Sequence, residues 1–256
     1  MEPSTPQWRR TAARAMQAMP APVRRSYWSS RRSLDRSRRR LRERRGDFSG
    51  SRPALHDLDR ALDARLPGGP GYFVEAGAFD GFTQSNTYYL ERARGWRGLL
   101  VEPVPMLARE AARERRRSVV RNCALVPAGH PDPTVRLRYG GTMTVMADAQ
   151  GAAEWTAEAQ RNMALDEPAH EFEVPARTLS SLLDEVGAPE VNLLSLDVEG
   201  YEAEVLAGLD LGRHVPRFIV VEVDLRAERD RVEALLRGHY GPGEQISPSD
   251  LLFERA

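Results

Sequence analysis

From Leu55 onward, apolar residues gather into short, nearly continuous runs separated by longer segments of mixed polarity. Gly71–Gly77 reads as a buried strand entering a tight turn, and Gly98–Glu102 as a second strand closed by Pro103. Ser118–Val126, Val191–Val198 and Phe218–Val223 read as further buried strands, and Leu251–Phe253 as a last one. Val135–Tyr139 alternates, as a half-exposed strand does. Helical spacing is predicted over Gln84–Arg94, over Met106–Arg117 with its arginines on the outer face, and over Ala147–Leu165. Thr178 is positioned to cap a helix through Val186 that Gly187 stops. Tyr201–Leu209 and an Arg/Glu-rich stretch ending at Arg237 complete the helices. Continuous apolar strands joined by helices predict an α/β fold with a mostly parallel, doubly wound sheet covered on both faces. A ligand of such a sheet sits beyond the carboxyl ends of its strands.

Charge divides the chain. The 256 residues carry 37 basic and 37 acidic side chains, and every basic one is arginine. Residues 1–52 hold 15 arginines against Glu2, Asp35, Glu43 and Asp47, a net +11; residues 53–256 hold 22 against 33 acids, a net −11. The expected organisation is therefore an Arg-rich arm over 1–52, flexible or helical, and an acidic body over 53–256. The run Arg31–Arg45 has only Leu34 and Leu41 as large apolar residues, and the prolines of Ala18–Val23 break any helix before it. Such an arm reads as a solvated tail or a helix resting on the acidic body. Its functional alternative is a non-catalytic anchoring or nucleic-acid-binding protein that uses the arm.

Absences exclude several chemistries. Without lysine there is no Schiff-base mechanism and no Walker A loop. The single Cys123 excludes an intramolecular disulfide framework and a cysteine-based zinc cluster, and it reads as a small core residue. No apolar run is long enough to span a bilayer, and the amino terminus has no signal-type apolar region. The expected location is cytoplasmic.

Three acidic groups fall at predicted strand ends. The first is Glu75-Ala76-Gly77-Ala78-Phe79-Asp80-Gly81, a glycine-bearing turn that lets backbone approach a ligand but lacks the full dinucleotide spacing. An acid there suits a cationic ligand better than a phosphate. The second is Glu102, placed to accept both ribose hydroxyls of a nucleoside. The third is Asp197-Val198-Glu199, whose carboxylates project on one side of an extended chain. Glu202 and Glu204 read as first-turn acids favoured by the helix dipole.

These blocks resemble the FkbM-type methyltransferases. The string NLLSLDVEGYEAEVLAGLD (Asn192–Asp210) carries the resemblance, preceded in order by FVEAGAFDGFTQSNTYYLE, GWRGLLVEP and RNCALVP. The resemblance runs from about Tyr72 to the carboxyl terminus and leaves the arm uncovered. It implies a class I, Rossmann-like fold, S-adenosylmethionine as donor, and O-methylation of natural-product or sugar hydroxyls. Carried over, Glu75, Gly77, Ala78, Asp80 and Gly81 cradle the donor and Glu102 holds its ribose. Asn122 and Cys123 then lie near the adenine, and Asp197 faces the reacting centre. Phe79 departs from the asparagine, and Glu75 from the aspartate, that many relatives carry.

The implied reaction aligns an acceptor hydroxyl with an already activated methyl group. Asp197 is the first candidate base, Glu199 the second and His214 the third. Asp197, Glu222 and Asp224 are an arrangement that a divalent cation would accept, although no metal is predicted. Ser85, Asn86 and Thr87 lie close to the donor turn, and Trp96 and Trp155 are candidates for an acceptor pocket. The segment from Gly140 to Pro168 reads as a lid. The expected partner is a small-molecule or glycan acceptor; nucleic acid is disfavoured because the body is acidic.

Overall fold

A computed structural model describes residues 21–140, 144–147, 170–223 and 226–256. Trp155, Asp224, nearly all of the helix expected over 147–165 and most of the expected lid lie outside them. The main sheet has seven strands in the order β10-β11-β9-β8-β1-β2-β3. They are β1 (Tyr72–Ala76), β2 (Arg97–Val101), β3 (Val119–Arg121), β8 (Leu193–Leu196), β9 (Phe218–Glu222), β10 (Glu244–Gln245) and β11 (Asp250–Glu254). β1, β2, β3, β8 and β9 run parallel, and β11 runs antiparallel to its two neighbours, β9 and β10. The chain steps outward from β1 to β3, then returns to the far side of β1 as β8. That reversal makes a crevice at the carboxyl ends of β1 and β8, where doubly wound sheets bind ligands.

Between β3 and β8 a second, four-stranded sheet is inserted in the order β4-β7-β5-β6. Its strands are β4 (Ala124–Leu125), β5 (Thr134–Tyr139), β6 (Val145–Met146) and β7 (His170–Arg177). The single strand expected over 118–126 is thus two strands in different sheets. The Asn122 side chain makes the break: its amide donates to the carbonyls of Glu102 (2.9 Å) and Pro103 (2.7 Å), and the chain leaves the β2 edge. β7 was not expected, although Phe172, Val174 and Ala176 alternate with polar residues.

The helices are α1 (Ala21–Arg44), α2 (Leu58–Arg65), α3 (Tyr88–Ala93), α4 (Pro105–Glu114), α5 (Leu179–Glu185), α6 (Glu202–Ala207) and α7 (Arg226–Leu236). The side chain of Thr178 accepts from the Ser181 N–H, the expected cap. α3 begins four residues later than the expected Gln84, because Gln84 is left-handed and Ser85–Thr87 are engaged elsewhere. Apolar layers cover both sheet faces. Leu182, Val205, Val221 and Val232 pack on one side; Leu62, Phe73, Trp96 and Leu100 pack on the other. Trp96 belongs to that core, fully buried with its indole N–H on the Gly69 carbonyl.

α1 lies against the body. Arg36, Arg39 and Arg40 converge on the buried Glu114 at the end of α4, and the Arg39 guanidinium stacks 3.3 Å over the Phe82 ring. The buried Glu43 accepts from Ser51 Oγ and Tyr88 Oη and pairs with Arg92. Arginine and acid thus neutralise each other across this contact.

Arg115 corrects the expectation that the arginines near the end of α4 face outward. α4 ends at Glu114, and Arg115 leaves the helical conformation and turns inward, where it is completely buried. Its guanidinium bonds Glu91 (3.0 Å), Glu75 (3.1 Å), Ser85 Oγ (3.0 Å), Thr87 Oγ1 (2.7 Å) and the Gly81 carbonyl (3.3 Å). This network braces the loop from Gly77 to Thr87 from behind.

Candidate active site

The sheet topology opens a cleft of about 650 Å³ at the carboxyl ends of β1, β2 and β8. Glu102, Asp197, Glu199 and Gly77 line it, with α6 and the inserted sheet forming the far wall. Gly77 has φ +83°, and a Cβ there would lie 1.8 Å from the Asp197 carbonyl oxygen. The turns after β1 and β8 therefore touch backbone to backbone, which only glycine permits. Gly77→Ala should cost roughly 2 kcal/mol or more through strain and displacement of the Asp197 turn. A urea melt checks this, and an unchanged midpoint contradicts it.

Glu75 lines the cleft and is also tied into the loop behind it. Both of its oxygens are occupied by Ser85 Oγ, the Asn86 N–H, Thr87 Oγ1 and Arg115. It anchors the loop, and Ser85 and Thr87 serve it. Asp80 accepts from the Phe82 and Thr83 N–H groups and the Thr83 hydroxyl, shaping the turn from outside the cleft. Gly81 packs against Ala111 and Arg115, where a Cβ would come within 2.9 Å. Ala78, Asp80, Gly81 and Asn122 therefore shape the walls without lining the cleft.

Glu102 is buried at the end of β2 and accepts from the Phe79 N–H at Oε2 and the Val104 N–H at Oε1, both at 2.8 Å. Burial pushes its carboxyl up to about 8 against the pull of those two bonds. Each oxygen keeps a lone pair for a further donor. The Phe79 bond also explains a left-handed residue, because Phe79 has φ +48°. Asparagine tolerates that conformation better than phenylalanine. Phe79, Gln84 (φ +57°) and Glu199 (φ +58°) all combine positive φ with a place on the cleft. Backbone strain of this kind gathers at functional sites.

The Asp197 carboxyl is raised well above the ordinary carboxylate range, first by desolvation, then by the Glu222 carboxyl that hydrogen-bonds it and by Glu199 and Glu202. β8 ends at Leu196, so Asp197 and Glu199 do not alternate along an extended strand as expected; a turn carries both to the cleft. Glu202 sets that turn. It is buried, its Oε1 accepts from the Val198 (2.9 Å) and Gly200 (3.2 Å) N–H groups, and burial pushes it up to about 7. Its role is structural, beyond a favourable place in the helix dipole.

His214 does not line the cleft. It precedes β9, at the end of the sheet opposite the cleft, and its Nε2 meets Asp184 at 3.0 Å beside Arg213. Another histidine stands where it was sought. His130, in the loop after β4, lines the cleft, and its Nε2 is shielded with no partner among the described residues. Nothing in the spacing of Gly129-His130-Pro131 marks it. Cys123 also lines the cleft, and burial raises its thiol to about 11. Among the described residues no three His, Cys, Asp or Glu side chains are grouped to hold a metal ion. No helix among them is long and apolar enough to cross a membrane.

The sheet order and carboxylate-lined crevice define a Rossmann-like methyltransferase fold. The family model for the methyltransferase FkbM domain matches residues 75–241, and the chain belongs to that family. Residues 75–241 are thus a methyltransferase domain. Among solved structures it is similar to a methyltransferase FkbM from Methylobacillus flagellatus KT, with 14% identity and a TM-score of 0.45. That match covers 72% of this chain but only 43% of the other, so the chain spans less than half of that protein. A TehB-like SAM-dependent methyltransferase from Corynebacterium glutamicum matches at 12% identity and TM-score 0.40, covering 88% of this chain and all of that one. A precorrin-6y C5,15-methyltransferase from Geobacter metallireducens matches at 10% and 0.43, covering 78% and 88%. No curated protein matches the chain.

Proposed function

We propose that the protein methylates a hydroxyl oxygen of a small molecule or glycan with S-adenosylmethionine as donor. The observation that carries the reading is the set of carboxylates, Glu102, Asp197 and Glu199, facing one cleft at the switch point of the sheet. This set suits the donor: Glu102 has two lone pairs for ribose hydroxyls, and Asp197 and Glu199 offer negative charge to a cation. The bound donor supplies a methyl group already activated on a sulfonium. Gly77 brings bare backbone to the donor, while Ala78, Asp80, Gly81 and Asn122 hold the loops that frame it.

Asp197 receives the proton of the acceptor hydroxyl on its carboxylate. Its raised proton affinity makes it a stronger base once ionised, and an alcohol needs one. Glu199 orients the hydroxyl, and His130 and Tyr201 line the same cleft. No step is assigned to a metal. We further propose that the chain divides into an arm over residues 1–52 and a methyltransferase domain over residues 53–256, and that the protein acts in the cytoplasm.

The raised Glu102 carboxyl gives this reading a signature. Its folded value lies above the ordinary carboxyl range, so its contribution to stability is complete below about pH 4.5 and is lost as pH rises through about 8. Hydroxyl donors favour the ionised form, so donor binding near neutral pH should release a proton. S-adenosylhomocysteine titrated calorimetrically at about pH 7 should give an enthalpy that varies with the ionisation enthalpy of the buffer. Glu102→Ala should remove that variation; a wild-type enthalpy independent of buffer contradicts the assignment.

A further inference from the structure

The reaction leaves the outer face of α1 without a role. Its inner face, Arg36, Arg39, Arg40 and Glu43, is taken by Glu114, Tyr88, Ser51 and Arg92. At 3.6 residues per turn the opposite stripe is Leu34, Arg38 and Leu41, continued by Arg45 one residue past the helix end. Leu34 and Leu41 are 59% and 49% exposed, among the few large apolar side chains so exposed. Arg38 is wide open to solvent, and its only ion pair among the described residues is with the exposed Asp35 at 3.9 Å. Arg42 beside the stripe meets Asp47, whereas exposed Arg44 and Arg45 form no ion pair among the described residues.

We propose that this stripe is a docking surface for an anionic phospholipid bilayer. The arginines would lie on lipid phosphates while Leu34 and Leu41 reach the acyl boundary, with α1 flat in the headgroup layer. Charge complementarity selects an anionic partner. The two leucines at the centre of the stripe select a lipid interface over a nucleic acid, whose backbone offers phosphates but no apolar layer. The association is peripheral, through a helix about 36 Å long.

Co-sedimentation of the full chain with vesicles tests this. The chain should bind vesicles of phosphatidylcholine with roughly 30% phosphatidylglycerol, release them as salt rises, and ignore pure phosphatidylcholine. Arg38→Glu with Arg45→Glu should weaken binding at least about tenfold, and Leu34→Ser with Leu41→Ser about three- to tenfold. Both double variants should bind S-adenosylhomocysteine as the wild type does, which shows that they are folded. Equal binding to both vesicle types, or no binding, overturns the proposal. So does a leucine variant that binds vesicles normally while duplex DNA competes, which would assign the face to nucleic acid. A wild-type dimer that the leucine variant dissociates would assign it instead to a second copy of the chain.

Discussion

Asp197→Asn should lower kcat by about 10²–10⁴ on any hydroxyl acceptor that the wild type methylates, with S-adenosylhomocysteine affinity within a few-fold. The fold should survive, for a reason specific to this site. Desolvation and the carboxyls of Glu222, Glu199 and Glu202 favour the protonated form of Asp197, and asparagine is close to that form in shape and charge. Because the folded value is raised, the contribution of Asp197 to stability is present at low pH and lost as pH rises through that value. The variant lacks this loss, so its melting temperature should gain on the wild type as pH increases. Wild-type kcat in a folded variant would remove Asp197 from the role of base. A collapse of donor affinity would give it a binding role instead.

Arg115→Ala should be the most destabilising single change in the core, costing about 3–5 kcal/mol. Five hydrogen bonds disappear, and Glu75 and Glu91 lose the buried guanidinium with which both pair. Such a loss is a large part of a typical stability of about 5–15 kcal/mol and corresponds to a melting shift on the order of 10 °C. Lysine should rescue little, because a point charge cannot reach five acceptors arranged around a planar fork. Methionine restores volume but leaves two carboxylates buried without their cation, so it should also fail. Where the protein still folds, the loop from Gly77 to Thr87 loosens and donor affinity falls with it. A midpoint lowered by less than about 1 kcal/mol would show that the network contributes no more than an exposed ion pair.

The strands of the main sheet were legible because they are continuously apolar, and their ends located Glu102 and Asp197. Two features were hidden in the sequence. Arg115 stands in a run of three arginines, and nothing in a charge run reveals the one residue that leaves the helical period and turns inward. Glu75 reads as a strand-end acid, but only the fold shows Ser85, Thr87 and Arg115 bonding it at the edge of the cleft. His214 and His130 illustrate the same limit. Both lie in loops, and only the direction of the strands puts one at the far end of the sheet and the other on the cleft. The arm's strong positive charge was plain, yet its division into an inner face on Glu114 and an outer stripe depends on where α4 ends.

The central claim is that carboxylates at the switch point of the sheet hold the methyl donor. Isothermal titration of S-adenosylhomocysteine into the folded wild type and into Glu102→Ala tests it most directly. The wild type should bind one equivalent with a Kd on the order of 1–100 μM, and the variant about tenfold or more weakly, as befits a lost charged acceptor. A folded wild type that does not bind, or a variant that binds as tightly as the wild type, would contradict it.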